Sequence, residues 1–140
     1  MDIEQIEETL QQYHFIEFAL LFGSYANGTA GYLSDVDIAI ESDKALDLLT
    51  YGEIVAELEA ISGKKIDLVT TNALYRENPR LAYNITGNHK VLFVKNENRY
   101  IDFKVNSLKY YTDMQFMYRM FDDRLKERLK NGTFGKVKAS

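Results

Sequence analysis

The sequence predicts an α+β domain in which four short strands alternate with helices and one long helix closes the chain. Three observations carry that prediction. Apolar runs of strand length recur at 15–22, 35–41, 65–70 and 90–94. Segments between them repeat apolar residues at helical spacing. From 97 to 129 a single helical pattern continues with neither proline nor glycine. At 140 residues the chain is large enough for one domain with a real core.

Residues 2–13 read as a helix. Ile3, Ile6 and Leu10 form its apolar side, with Asp2 as N-cap. The run 15–22 ends abruptly at Gly23 and reads as the first strand, and one helical turn is expected over 24–27. The second strand spans 35–41. Ser42 is expected to cap a helix whose buried face is Ala45, Leu46, Leu48, Leu49, Ile54, Val55, Leu58 and Ile61, with Gly63 as its stop. A third strand follows over 65–70. Asn78-Pro79 opens a short helix, with asparagine as cap and proline in the first helical position. Its apolar side is Leu81, Ala82 and Ile85, and 90–94 is the fourth strand. The long helix carries a stripe of Phe103, Leu108, Tyr111, Met114, Met117, Tyr118, Phe121, Leu125 and Leu129. Residues 131–140 read as a frayed tail.

The chemistry concentrates in 20–40, where the strand ending at Gly23-Ser24 is followed by a small-residue loop and a strand opening with Asp35-Val36-Asp37. Strand side chains alternate faces, so Asp35 and Asp37 share one face while Val36, Ile38 and Ile40 enter a core. Two such side chains, roughly 6–7 Å apart at the backbone, can converge on a metal pair spaced about 3.5–4 Å. Gly23 leaves room for a phosphate at the backbone, and Ser24 offers a hydroxyl. No lysine follows the glycines in the Walker pattern, so positive charge has to come from elsewhere. Magnesium, which prefers carboxylate and phosphate oxygens, can bring it. Asp67 on the third strand adds a carboxylate that could accept a proton from an attacking hydroxyl or share a metal.

Gly23-Ser24, ten intervening residues and Asp35-Val36-Asp37 resemble the signature of the polymerase-β-like nucleotidyltransferases. Within them the chain is most similar to the minimal nucleotidyltransferases (MNT proteins), the antitoxin half of HEPN/MNT toxin–antitoxin pairs. The resemblance implies a mixed four-stranded sheet flanked by helices, with 1–95 as the nucleotidyltransferase core. It also implies ATP as substrate with two magnesium ions, and transfer of AMP to a tyrosine of a partner HEPN toxin. By position, Gly23 and Ser24 match the phosphate-binding pair, and Asp35, Asp37 and Asp67 match the catalytic and metal-binding acids. The toxin motif Arg-x4-His-x-Tyr is absent: neither His14 nor His89 has an arginine five residues before it.

Composition narrows the alternatives. With 17 basic against 21 acidic residues the chain lacks the charge of a dedicated nucleic-acid binder. It has no cysteine, hence no disulfide and no thiolate site. No apolar run is long enough for a bilayer, and a cytoplasmic location is expected. Tyr25 and Tyr32 are more ordinarily shields of a turn than base-stacking groups, and Ser34 is expected to cap the loop. Lys64, Lys65, Arg76 and Arg80 read as solvated charge, and both histidines as surface residues. Residues 96–130 are expected to pack on the core with one half and on another chain with the other, as a hetero-oligomer or a homodimer, because Met114, Phe116, Met117, Tyr118, Met120 and Phe121 are wider than one stripe needs. Two other readings stay open at this point: a non-catalytic module that neutralises its partner by binding, and a small-molecule nucleotidyltransferase of the antibiotic-modifying type.

Overall fold

A computed structural model of the chain describes residues 1–131. Its elements are, in order, α1 (Ile3–Gln11), β1 (Ile16–Phe22), α2 (Ser24–Asn27), β2 (Val36–Ser42), α3 (Leu48–Ser62), β3 (Ile66–Thr70), α4 (Leu74–Glu77), α5 (Pro79–Gly87), β4 (His89–Val94) and α6 (Glu97–Lys130). The strands form one sheet in the order β3-β2-β1-β4. β1 is antiparallel to both neighbours and β2 is parallel to β3, so the sheet is mixed. Apart from Asn131, the expected tail lies outside the described residues.

Local chemistry sets most element ends where expected. Asp2 Oδ1 accepts from the Glu4 amide at 3.0 Å, and Asn78 Oδ1 from the Leu81 amide at 3.2 Å ahead of Pro79, each satisfying an amide that the first helical turn leaves unpaired. Gly63 closes α3 at φ 66°, a left-handed conformation that costs glycine little. The start of α3 is a correction. Ser42 ends β2 instead of capping a helix, because Asn72 clamps its backbone: the Ser42 amide donates to Asn72 Oδ1 (3.1 Å) and Asn72 Nδ2 donates to the Ser42 carbonyl (2.6 Å). Asp47 caps α3, its Oδ1 accepting from the Thr50 amide at 2.7 Å. Ala45 and Leu46 therefore precede the helix. Leu48 and Leu49, expected in the buried face, lie in its overhanging first turn and are 85% and 83% exposed. The short α4 is an addition to the sequence reading.

Two cores sandwich the sheet. On one side Ile6 and Leu10 of α1 and Ile54 and Leu58 of α3 pack on Val36, Ile38, Ile40, Ile66 and Leu68. On the other, Leu74, Ala82, Ile85 and Phe103 from α4, α5 and α6 pack on Phe18, Leu20 and Ala39. Phe18 is fully buried, and its ring centroid lies 5.5 Å from Tyr100 and 5.9 Å from Phe103. Deleting such a side chain costs about 3–5 kcal/mol.

α6 outruns the domain. Its 34 residues extend about 51 Å at 1.5 Å per residue. Phe103 and Ser107 are buried, Tyr110 meets Tyr75 at 4.9 Å and Tyr111 stacks on Tyr83 at 3.9 Å. Beyond them Phe116, Met117, Tyr118, Met120 and Phe121 are exposed, on the same helix and without a layer beneath among the described residues.

Candidate active site

Strand pairing brings the acidic residues together. In the parallel β2–β3 ladder Asp37 lies directly across from Asp67. Ile38 and Leu68, one residue on, are buried on the opposite face with α1 and α3, so both carboxylates project on the face that α4, α5 and α6 cover further along. Asp35 stands one residue before β2 begins and is exposed. β1 ends beside them, with Phe22 paired to Asp37, and Gly23-Ser24 follows at once as the start of the α2 turn.

Asp37 carries the electrostatic strain of the group. Burial is the largest cause raising its pKa above the ordinary carboxylate value; the charge of Asp67, a hydrogen bond to Asp67 and the charge of Asp35 push the same way. In this half-buried place the neighbouring acidic charges add to burial in disfavouring the charged form of Asp37. Gly23, at φ 70°, passes so close that a Cβ there would sit 2.1 Å from Asp37 Oδ2. The absent side chain thus makes room for a carboxylate of the site itself.

The donor set fits a hard divalent ion. Its members are oxygen donors, two of them aligned in register, and a cation would relieve the repulsion that raises Asp37. Among the described residues no group of three or more acidic, imidazole or thiol side chains is already gathered as a metal site. The structure brings Asp37 and Asp67 together and leaves Asp35 at the lip, acting on Asp37 through its charge.

The neighbours sort into supports. Ser34 Oγ accepts from the Gly31 amide at 2.8 Å and ties the loop. Tyr25 is half-buried and packs against the core on the α1 and α3 side. Tyr32 is exposed; Lys64 Nζ donates to its carbonyl at 2.7 Å and lies 5.0 Å from its ring centroid, so Lys64 pins the loop. Arg76 sits over the Tyr75 ring at 5.5 Å. Lys65 and Arg80 are exposed, as expected, and so is His14. His89 differs: half-buried, its ring nitrogens meet the Ile85 carbonyl at 2.8 Å and the Tyr100 hydroxyl at 2.7 Å.

Tyr51 is the neighbour that sequence reasoning missed. Its hydroxyl donates to the Leu68 carbonyl at 2.6 Å, beside Asp67. Burial, then the Asp67 charge, raises its pKa and keeps it a donor. Nothing in the pattern of α3 marks it, since the contact depends on how α3 lies along the outer strand.

Comparison with known proteins follows the same lines. The family model described as "Polymerase beta, Nucleotidyltransferase" matches residues 4–98. The protein adenylyltransferase MntA of Thermococcus cleftensis is 41% identical over 54 residues, 39% of this chain and 54% of that protein. A protein of Methanocaldococcus jannaschii provisionally named a protein adenylyltransferase is 34% identical over 68 residues, 49% of this chain and 79% of that protein. Among solved structures, a chain from a toxin–antitoxin crystal structure with AMP-PNP superposes with a TM-score of 0.74 at 23% identity, covering 90% of this chain and 99% of that one. A chain from the tri-AMPylated Shewanella oneidensis HEPN toxin in complex with its MNT antitoxin superposes at 0.65 and 20% identity, covering 89% and 99%. At these identities the solved structures establish a shared fold. The sheet, its paired aspartates and the extent of the family match lead to one assignment: the chain belongs to the polymerase β nucleotidyltransferase family.

Proposed function

We propose that this chain is an antitoxin that transfers AMP from ATP to a tyrosine of a partner HEPN toxin. The observation that carries the reading is the alignment of Asp37 with Asp67 at the strand ends beside Gly23-Ser24. Support comes from the relatives named protein adenylyltransferases and from the folds shared with toxin–antitoxin structures, one holding an ATP analogue and one an AMPylated toxin.

Each residue has a task. The ATP phosphates lie against the Gly23-Ser24 turn, where the Ser24 hydroxyl donates to a phosphate oxygen. Asp67 takes the proton of the acceptor phenol as its oxygen forms a bond to the α-phosphorus. The bond from that phosphorus to the oxygen bridging to the β-phosphate breaks, and pyrophosphate leaves with the electron pair. Positioned proton acceptance of this kind contributes about 10²–10⁴ in rate. Two magnesium ions, held by Asp35, Asp37 and Asp67, would neutralise the phosphate charge and stabilise the leaving pyrophosphate.

Residues 1–95 form the catalytic core in this reading, and 96–130 join core to partner through the exposed half of α6. Among the described residues no helix is long and apolar enough to cross a membrane, and the site of action is the cytoplasm, where ATP is available. The test is incubation of the chain with magnesium, the partner HEPN toxin and ATP labelled on the α- or on the γ-phosphate. The α label should appear on a toxin tyrosine and the γ label in free pyrophosphate. Label from the γ-phosphate on the toxin, or none from the α-phosphate, would overturn the reading.

A further inference from the structure

The free edge of β3 carries a groove that is lined from Leu68 onward, the residue next to Asp67 in the chain. β3 is an outer strand with β2 on its inner side. Val36 donates its amide to the Lys65 carbonyl and Thr71 donates to Ile40, so by alternation the backbone groups of Ile66, Leu68 and Thr70 point outward. Two of these are covered: the Ile66 amide donates to Glu59 Oε2 at 3.0 Å, and the Leu68 carbonyl accepts from Tyr51. The Leu68 amide and both backbone groups of Thr70 have no hydrogen-bond partner among the described residues. Such an edge is a template for another strand.

Side chains shape the space beside this edge. A cavity of about 680 Å³ is lined by Leu48, Tyr51, Leu68 and Thr70, with Asp47 and Glu77 among its polar groups. A second hollow beside it is lined by Leu48, Leu49, Gly52 and Glu53. No lysine, arginine or histidine lines either. Leu48, which lines both hollows, and Leu49, which lines the second, are almost fully exposed and form an apolar step.

We infer that this groove seats the acceptor: an extended, positively charged, tyrosine-bearing segment of the protein to be modified, added along the outer edge of β3. The inference rests on the adenylyl-transfer reading of the site and specifies how the second substrate reaches it. Gly23-Ser24 and Asp35 occupy the β1 and β2 side of the acidic pair, which leaves the β3 side for the incoming hydroxyl. Asp67 is exposed there and adjoins Leu68 in the chain, about 3.3 Å along the strand. A segment hydrogen-bonded at Leu68 and Thr70 therefore carries a neighbouring tyrosine to Asp67. Main-chain bonds hold any sequence in this mode, and side-chain pockets select among them. The leucine step selects an apolar residue, and the acidic rim of Asp47, Glu53 and Glu77 selects positive charge.

The test uses the full chain and short fluorescent peptides, each with one central tyrosine flanked either by lysines or by glutamates. Fluorescence anisotropy without nucleotide measures docking, and transfer of labelled AMP measures turnover. The lysine peptide should bind at least about tenfold tighter than the glutamate peptide, and Leu48→Ser/Leu49→Ser should weaken it by a similar factor. Glu53→Lys/Glu77→Lys should erase the charge preference. None of these variants should change the KM for ATP in transfer to the toxin. Equal binding of both peptides, or binding indifferent to the leucine change, would overturn the inference. So would a dimer of the chain that Leu48→Ser/Leu49→Ser dissolves, since a second copy would then own the groove. Docking as expected with no AMP transferred to peptide or toxin would leave the groove standing and remove the adenylyl-transfer reading instead.

Discussion

A methyl group on Gly23 would sit 2.1 Å from Oδ2 of Asp37, so the Gly23-Ser24 turn and the acidic pair are one packed unit. No heavy atoms approach that closely without displacement, and the positive φ of Gly23 adds strain for any other residue.

Gly23→Ala should therefore cost about 2–3 kcal/mol, or roughly 6–12 °C in melting temperature for a domain of this size. In an Asp37→Gly background the same change should cost less, leaving only the strain of a backbone at φ 70° and ψ −149°, a region that is nearly glycine's alone. The double-mutant cycle isolates the contact. Equal costs in both backgrounds would show that the carboxylate yields freely.

Asp67→Asn removes a charge that repels Asp37. The melting temperature should stay level or rise, while AMP transfer falls by at least about 10². Loss of activity together with loss of folding would make Asp67 a structural residue.

Magnesium should raise the melting temperature of the wild-type chain, the stabilisation reaching about 2.7 kcal/mol at about a hundred times the dissociation constant. Asp37→Asn/Asp67→Asn should abolish that rise, and a chelator should stop transfer reversibly. A rise surviving the double change would place the ion elsewhere.

Glu41 tests the far end of the sheet. Burial raises its pKa above the ordinary 4.5, against the opposing hydrogen bond from Thr71 and the charge of Arg99, whose Nη1 lies 3.4 Å from Glu41 Oε2. The folded chain thus holds this proton more tightly than the unfolded one. The contribution to stability is full below pH 4.5 and declines as pH rises through the raised value. Denaturant titrations from about pH 4 to about pH 7 should show that decline, and Glu41→Gln should flatten it.

Met117→Asp/Phe121→Asp addresses the exposed half of α6. Both side chains are solvated in the isolated chain, so its melting temperature should change little, while binding to the toxin weakens by at least about tenfold. Unchanged binding would put the interface elsewhere.

How legible all this was follows from the range of the forces involved. Local signals read correctly: the one-turn helix after Gly23, the stop at Gly63, the Asn78-Pro79 start and the full course of α6 depend on neighbours in sequence. Leu48 and Leu49 misled because helical spacing says which residues share a face, not where the helix begins. That start was moved by Asn72, thirty positions from Ser42 in the chain. Asp35 and Asp37 were legible as a pair from their two-residue spacing alone, although Asp35 lies one residue before β2 begins. Their register with Asp67, and the closeness of Gly23 to Asp37, depend on pairing between strands and had no local mark. Tyr51 was hidden for the same reason.

The most direct test of the central claim is a single assay of AMP transfer from α-labelled ATP to the toxin by the wild-type chain, Asp37→Asn and Asp67→Asn, all three verified as folded. The account predicts a labelled tyrosine with the wild type and loss of at least about 10² in rate with either variant. Transfer at the wild-type rate by a folded Asp37→Asn or Asp67→Asn chain would contradict it.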